Sequence, residues 1–261
     1  MTAPLLHVTN LSVRFGGLMA LDNVDFQARA GRITSVVGPN GAGKTTAINC
    51  ISGLQRLDRG QVLFDGRDVT GLPAHRFCRL GLARTFQNLR IFVRMTVLEN
   101  VMIGLHGITG QEFFSAMLRL PGLRREEQMI RDRAFELLDL FGMQSLAHRP
   151  AGQLAYGDQK RVELARALVS DPKMILLDEP VAGLNTAETE HMGGLIETIR
   201  DRGVGLVLVE HDMSLVMRIS DHVVVLSGGG KIAEGTPEEM QCHPEVIATY
   251  LGGGEEFGLH A

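Results

Sequence analysis

The segment GPNGAGKT, residues 38–45, has the residue types and the spacing to bind phosphate. It matches the pattern G-x-x-x-x-G-K-[ST], follows the apolar run ITSVV and leads into the helical pattern TTAINCISGL. Glycines let the backbone fold so that successive N–H groups point at phosphate oxygens, and the N-terminus of the helix adds partial positive charge. We therefore predict a nucleotide-phosphate site formed by Gly38, Pro39, Asn40, Gly41, Ala42, Gly43, Lys44, Thr45 and Thr46.

Other polar residues fall where they could act on a bound nucleotide. Lys44 can reach the β- and γ-phosphates, and Thr45 can offer its hydroxyl to Mg²⁺. Asp178 and Glu179 follow the apolar run MILL, at the strand end where ligands bind in open α/β sheets. Asp178 therefore suits the Mg²⁺ shell, and Glu179 suits the orientation or deprotonation of the attacking water. His211, in VEHD after the next apolar run, is predicted to contact the γ-phosphate.

Short apolar runs indicate the strands that must position these residues. The runs are bounded by polar or glycine-rich residues, which is typical of strands buried on both faces of a largely parallel sheet. They are ITSVV (33–37), MILL (174–177), GLVLV (205–209) and HVVVL (222–226). The first 30 residues and QVLFDG at 61–66 alternate instead, which predicts antiparallel strands. The sequence thus predicts an α/β fold.

The middle of the chain, from about residue 96 to residue 168, has a helical pattern. Thr96 and Glu99 form a capping box, and Pro121-Gly122 separates at least two helices. One helix carries an apolar stripe of Ile130, Ala134, Leu137, Leu138 and Phe141.

The composition narrows the functional classes. With 26 basic and 30 acidic residues, the net charge of −4 gives no electrostatic footprint for nucleic acid. Cys50, Cys78 and Cys242 form no C-x-x-C pair, which favours free thiols in a reducing compartment. A guanine-reading N-K-x-D segment is absent, which argues against a G protein. We expect no secretory signal, and no apolar stretch reaches the roughly 18–20 residues of a membrane span.

Four further segments occur in a fixed order along the chain: Gln87 in RTFQN, LAYGDQ at 154–159, AGLN at 182–185, and His211. Together with the phosphate loop and the acid pair, this order resembles the ATP-binding cassette family over nearly the whole chain. The resemblance implies an ATPase with ATP and Mg²⁺ as cofactors. It implies that Glu179, His211 and Gln87 are catalytic and that Thr45, Gln87 and Asp178 hold the metal, with Gln87 also sensing the γ-phosphate.

The resemblance also implies a partner for the LAYGDQ segment. In this family two ATPase domains pack head to tail, so the signature segment of one chain contacts the ATP of the other. Here the signature comprises Leu154, Ala155, Tyr156, Gly157, Asp158 and Gln159. Leu154 and Gly157 match the L-S-G-G-Q form, whereas Ala, Tyr and Asp replace Ser, Gly and Gln. A helix is expected to begin near Asp158, whose charge and the missing hydroxyl at Ala155 should weaken the contact with phosphate.

Two smaller segments complete the expected sites. The D-loop comprises Ala182, Gly183, Leu184 and Asn185, with Asn185 where Asp is usual in the family. Phe15, in VRFGG, matches the aromatic residue that stacks on adenine. A single Phe at the end of a strand is also compatible with a core position, so both interpretations stay open here.

The exact forms RTFQNLRIF, LAYGDQ, AGLN and VEHDMSLVM look like one branch of the family. That branch comprises the ATP-binding subunits, of the LivG-like type, of uptake systems for branched-chain (hydrophobic) amino acids. It implies a second and different ATPase, two transmembrane permease subunits, an extracytoplasmic binding protein and a location at the cytoplasmic face of the inner membrane. Related importers of amides or urea are one alternative. A cassette ATPase acting on nucleic acid or ribosomes is another, which a single acidic cassette disfavours.

The resemblance finally implies a division of the chain. We expect a RecA-like P-loop NTPase core with a mostly parallel sheet, an N-terminal antiparallel β-subdomain and an inserted α-helical subdomain. The core and β-subdomain would occupy about 1–87 and 169–240, the helical subdomain about 88–168, and a C-terminal tail 241–261.

Overall fold

The computed structural model describes residues 3–106 and 121–251 of the chain. Its strands are β1 (Leu6–Phe15), β2 (Leu18–Ala28), β3 (Ile33–Val37), β4 (Arg59–Phe64), β5 (Arg67–Asp68), β6 (Leu82–Arg84), β7 (Met174–Asp178), β8 (Gly205–Val209), β9 (His222–Ser227) and β10 (Gly230–Gly235). Its helices are α1 (Lys44–Ile51), α2 (His75–Leu80), α3 (Val97–His106), α4 (Pro121–Leu140), α5 (Tyr156–Leu168), α6 (Thr186–Asp201), α7 (Met213–Ile219), α8 (Pro237–Gln241) and α9 (Pro244–Leu251). Residues 107–120 of the predicted helical region, and the part of the predicted tail from residue 252, lie outside these residues.

The larger sheet contains the four apolar runs. Its strand order is β10-β9-β3-β8-β7-β6, and every pair is parallel except β10 with β9. All residues of β3, β7 and β8 are buried, because these strands have helices or the second sheet on both faces. Alternate side chains therefore enter different cores: Ile175 and Leu177 face the helices, whereas Leu176 faces the second sheet. The predicted α/β fold with a mostly parallel sheet is confirmed.

The smaller sheet is antiparallel, with strand order β2-β1-β4-β5. Alternation along β1 buries Leu6, Val8, Leu11 and Val13, as its sequence pattern predicted. These side chains share a core with Ile48 of α1 and with one face of the larger sheet. The smaller sheet therefore holds the helix that follows the phosphate loop against the parallel strands.

Helices α3, α4 and α5 cover the other face of the parallel sheet. The predicted apolar stripe is buried at Ala134, Leu137 and Leu138 of α4 and at Phe141, directly after the helix, and it is half-buried at Ile130. The capping box before α3 is present, since the N–H of Thr96 donates to Glu99 Oε2 at 2.7 Å and the N–H of Glu99 donates to Thr96 Oγ1 at 3.2 Å. The boundaries of the three predicted subdomains stay a prediction.

The connection before α3 is held by a buried amide. Asn100 is fully buried, accepts the N–H of Phe92 at 2.8 Å and donates to the carbonyl oxygens of Phe92 at 3.0 Å and Thr96 at 2.9 Å. These bonds fix the backbone of residues 92–96 while Phe92 and Val93 stay about half exposed. The segment after Gln87 therefore has a fixed backbone although its side chains reach the surface.

Candidate phosphate-binding and hydrolysis site

The phosphate loop lies between β3 and α1 and depends on glycine conformations. Gly38, Gly41 and Gly43 have φ values of 150°, 80° and 100°. A methyl group added at Gly38 would lie 2.1 Å from the carbonyl oxygen of Leu226, and one added at Gly43 would lie 2.6 Å from that of Ala20. The loop therefore packs its backbone directly on β9 and β2, which leaves no room for side chains at these two positions.

Lys44 is the first residue of α1, and its side chain is buried. Its ammonium donates to the carbonyl oxygens of Gly38, at 2.6 Å, and Pro39, at 3.1 Å. No side chain caps α1 and its first turn contains no acidic residue. The N-terminus of this helix is thus suited to an anionic phosphate, with Lys44 beside it and Thr45 exposed in the first turn.

Asp178 ends β7 and is only 2% exposed. Its Oδ2 accepts a bond of 2.9 Å from Nη2 of Arg84, whereas its buried Oδ1 has no hydrogen-bond partner among the described residues. Burial raises the pKa of Asp178, and the Arg84 guanidinium opposes that rise. An unpartnered buried carboxylate oxygen at a strand end fits a hydrated Mg²⁺. No cluster of three or more His, Cys, Asp or Glu that could hold a metal occurs in the described part of the chain, so nucleotide phosphates would have to supply further ligands.

Glu179 and Gln87, predicted from separate segments, meet in the structure. Nε2 of Gln87 donates to Glu179 Oε2 at 2.9 Å. The backbone of Glu179 is left-handed, with φ 49°, and its N–H donates to the carbonyl oxygen of Val209 at 2.9 Å. This conformation turns the half-buried carboxylate from the end of β7 towards the Gln87 amide.

His211 follows β8 and its side chain is 55% exposed. The residue before it, Glu210, is fully buried and accepts the N–H of Val181 at 3.0 Å and that of His211 at 3.1 Å. Burial raises the pKa of Glu210, and these backbone donors oppose the rise. Glu210 therefore fixes the His211 backbone to the segment after Glu179, and the sequence analysis missed it.

The signature segment begins α5 earlier than predicted, because Ala155 is the N-cap and Tyr156 the first helical residue. Ala155 and Tyr156 are exposed, and Ala155 provides no side-chain cap. Gln159 donates to the carbonyl oxygen of Leu154 at 2.8 Å. The carboxylate of Asp158 pairs with Arg161 in the same helix, so its charge is partly neutralised within the chain.

The signature segment also contacts the chain's own D-loop. A methyl group added at Gly183 would lie 3.2 Å from a ring carbon of Tyr156, and one added at the buried Gly157 would lie 2.9 Å from Glu188 Oε1. Asn185 accepts the N–H of Glu188 at 3.0 Å and caps α6. Ala182 and Leu184, the other residues of the D-loop, are half-buried.

Phe15 ends β1 and is 48% exposed. Leu18 and Met19, at the start of β2, are also exposed. The alternative interpretation of Phe15 as a core residue is therefore wrong, and an adenine-stacking role stays a prediction.

A strand, a glycine loop and a helix with the geometry to hold phosphate, with an acid pair at the end of a parallel strand, define a P-loop nucleoside triphosphatase. The comparisons with known proteins identify which one. The family model described as "ABC transporter" matches residues 21–182, and that described as "Branched-chain amino acid ATP-binding cassette transporter" matches residues 231–256. The chain belongs to the ABC transporter family, as an ATP-binding and ATP-hydrolysing cassette.

Similar proteins extend over the whole cassette. The chain is 44% identical to LivG of Escherichia coli and 42% identical to BraF of Pseudomonas aeruginosa, in each case over 97% of this chain and 99% of the relative. Both relatives are high-affinity branched-chain amino acid transport ATP-binding proteins. The resemblance stated from the sequence is confirmed.

Solved cassettes have the same fold. A nucleotide-free ATP-binding cassette from an ABC transporter superposes with a TM-score of 0.83 at 32% identity, covering 95% of this chain and 99% of that one. The ADP conformation of an ATP-binding cassette of an ABC transporter gives a TM-score of 0.82 at 33% identity, covering 96% of this chain and 100% of that one. Among the helices that the structure describes, none combines the length and hydropathy needed to cross a bilayer.

The close approach at Gly38 yields a stability prediction. We expect Gly38→Ala to destabilise the chain by at least about 3 kcal/mol, because the carbonyl oxygen of Leu226 belongs to a buried strand and cannot move away. Gly41→Ala is the matched control: its φ is 80°, but nothing lies within 4 Å of the added methyl group. The control should cost only about 1–2 kcal/mol of left-handed strain. Denaturant unfolding of both variants measures the difference, and equal losses would contradict the packing argument.

Proposed function

We propose that the chain is the ATP-hydrolysing subunit of an importer for branched-chain or other hydrophobic amino acids, bound peripherally at the cytoplasmic face of the membrane. The observation that carries the proposal is the meeting of Gln87 and Glu179, 2.9 Å apart, beside Asp178 in a cassette similar along its whole length to LivG and BraF. The match of residues 231–256 to the branched-chain model supports the same substrate class from an independent part of the chain.

The chemistry assigns one task to each residue of the site. Lys44 and the N-terminus of α1 bind the β- and γ-phosphates, and Phe15 stacks on adenine. Thr45, Asp178 and Gln87 would hold Mg²⁺, which neutralises charge on the transferring phosphoryl group when it is bound. Glu179 acts as the general base on the attacking water. His211, exposed at the end of β8, can turn to the γ-phosphate.

A second cassette completes each site in this proposal. Ala155 and Tyr156 are exposed at an N-terminus of α5 that no side chain caps, so the first N–H groups of the helix can address a phosphate on another chain. A solved cassette that is 26% identical to this chain was crystallised as a dimer bound to ADP and phosphate. We infer a head-to-tail dimer, formed in the transporter with a different ATPase, which ATP closes and hydrolysis reopens.

The permease subunits are proposed to dock on a groove of about 330 Å³. Leu54, Phe77, Phe86 and Ile103 give it apolar walls, and Glu163 lies among them. It lies between α1, α2, α3 and α5 and borders the segment that leads to Gln87. A short helix of a permease bound here would be moved whenever that segment moves, which couples hydrolysis to alternating access.

A carboxamide in place of the base tests the chemistry. We expect Glu179→Gln to keep ATP binding and to slow turnover roughly 10²–10⁴-fold, the usual contribution of a positioned base. Glu190→Gln, at an exposed position of α6, is the matched control and should turn over ATP like the wild type. Phosphate release by the purified transporter measures both. Wild-type turnover in Glu179→Gln would refute the role assigned to Glu179.

Uptake in cells tests the substrate class. Cells that lack this chain should lose uptake of radiolabelled leucine, isoleucine and valine, regain it with the wild-type chain, and fail to regain it with Glu179→Gln. Competition with unlabelled urea or short amides should have no effect. If uptake of urea or an amide depended on the chain and leucine uptake did not, the chain would belong to one of the related importers instead.

The proposed dimer yields opposite expectations for stability and activity at Ala155. Ala155→Asp adds an N-cap to α5 and should stabilise the isolated chain by about 0.5–2 kcal/mol. The same carboxylate would repel the γ-phosphate of the neighbouring site, so ATPase activity of the assembled transporter should fall strongly. Ala155→Ser is the matched control, because it adds a cap without charge and should not lower activity. Full activity in Ala155→Asp would show that the segment does not serve a partner's ATP.

A further inference from the structure

One face of the signature helix contacts three loops of its own chain. Tyr156, Lys160 and Glu163 follow one another at helical spacing along α5. The Tyr156 ring lies against Gly183 of the D-loop, and the ammonium of Lys160 donates to the carbonyl oxygen of Glu179. Glu163 accepts the N–H of Arg90, in the segment after Gln87, at 3.5 Å. The contact made by Lys160 is with Glu179, the residue proposed as the general base.

Lys160 is an unusual residue for this position. It is 4% exposed, and its ammonium lies 3.0 Å from the Glu179 carbonyl oxygen and 5.7 Å from the centroid of the Tyr156 ring. Among the described residues it forms no ion pair, and the Glu179 carbonyl is its one hydrogen-bond acceptor. Its charge acts on the carboxyl groups of Asp178 and Glu163, where it opposes the rise in pKa that burial causes. An ammonium removed from water without a direct ion pair costs free energy, so the packing of α5 must keep this cation in place.

The carbonyl oxygen that accepts this bond belongs to Glu179, whose backbone conformation is unfavourable. Glu179 has a φ of 49°, in the left-handed region that residues other than glycine seldom adopt. Three bonds hold it there: its N–H donates to Val209 at 2.9 Å, and its carbonyl oxygen accepts from Lys160 at 3.0 Å and from the N–H of Ala182 at 3.3 Å. Rotation of the peptide group after Glu179 would break the contact with Lys160, and loss of the left-handed backbone conformation would turn the carboxylate away from Gln87.

We propose that Lys160 is a positioning residue for the catalytic Glu179. Its ammonium holds the carbonyl of Glu179 so that the left-handed backbone aims the carboxylate at the bond with Gln87. The proposal rests on the role of Glu179 proposed above. Under this proposal α5 has two roles: its N-terminus contacts the ATP of the partner, and its Lys160 positions Glu179 in the chain's own site.

A set of variants in the assembled transporter tests the proposal. Lys160→Met keeps the length and packing of the side chain and removes the donor, whereas Lys160→Arg keeps charge and donors. We expect Lys160→Met to lower kcat about ten- to one-hundred-fold, the range of one charge-assisted hydrogen bond, with ATP affinity unchanged within about twofold. Lys160→Arg should recover most of the lost kcat. Lys173→Met, which removes a half-exposed lysine paired with Asp65, is the control and should be unaffected.

A double-mutant cycle separates positioning from plain stability. Because Lys160 acts through Glu179, Lys160→Met in the Glu179→Gln background should lower the residual kcat by no more than about twofold. A full multiplicative loss in the double variant, an equal loss of ATP affinity, or unchanged kcat in Lys160→Met would each overturn the proposal. Wild-type turnover in Glu179→Gln alone would instead refute the proposed function.

The same question can be decided if Lys160→Met does not fold. Thermal unfolding shows whether each variant is folded. If Lys160→Met is not, Lys160→Gln, which is shorter and uncharged, takes its place in the comparison. We expect Lys160→Arg to turn over ATP faster than Lys160→Gln at equal ATP affinity. Equal kcat values for these two variants would overturn the proposal.

Discussion

A parallel sheet with both faces buried places its charged side chains at the ends of its strands. Strands β3, β7 and β8 are buried along their whole length, and each is followed by the chemistry of this cassette: the phosphate loop, the acid pair and His211. Because the three strands are parallel neighbours, their carboxyl ends meet at one edge. The elements around the sheet hold that edge in place. The smaller sheet packs α1 against one face of the parallel strands, and α3 to α5 cover the other face.

Buried charges then connect the loops that leave this edge. Arg84 joins Asp178 to Asn49 of α1, with bonds of 2.9 and 2.8 Å, and Glu210 joins the segment after Glu179 to His211. Lys160 joins α5 to the backbone of Glu179. Each charge is costly to bury, and each is compensated by hydrogen bonds that also fix the distance between two loops. The loops of the site are thus joined to one another by polar partners that they share.

The sequence predicts those parts of the fold and site that are encoded by local spacing. The glycine loop, the acids after MILL, the Thr96–Glu99 cap and the stripe of α4 are all periodic or contiguous, and each forms as expected. The roles of Arg84, Lys160 and Glu210 could not be predicted in this way. Their partners are 94, 19 and 29 residues away, and two of those partners are backbone atoms, which have no signature in a sequence. Asp158 shows the same limit: its charge suggested repulsion of phosphate, but the sequence did not reveal its pairing with Arg161.

The departures of the signature segment from the family form are consistent with this network. Tyr156, where glycine is usual, packs its ring on Gly183 and lies beside the Lys160 ammonium, and a smaller residue would leave both without that contact. Gly157 stays glycine because Glu188, which completes the cap of α6, occupies the space a side chain would need. One face of α5 is therefore specified by its contacts with the chain's own loops. In the dimer proposed above, a shift of this helix towards a neighbouring ATP would move the donor that holds the backbone of Glu179, and the two composite sites would be linked through each chain.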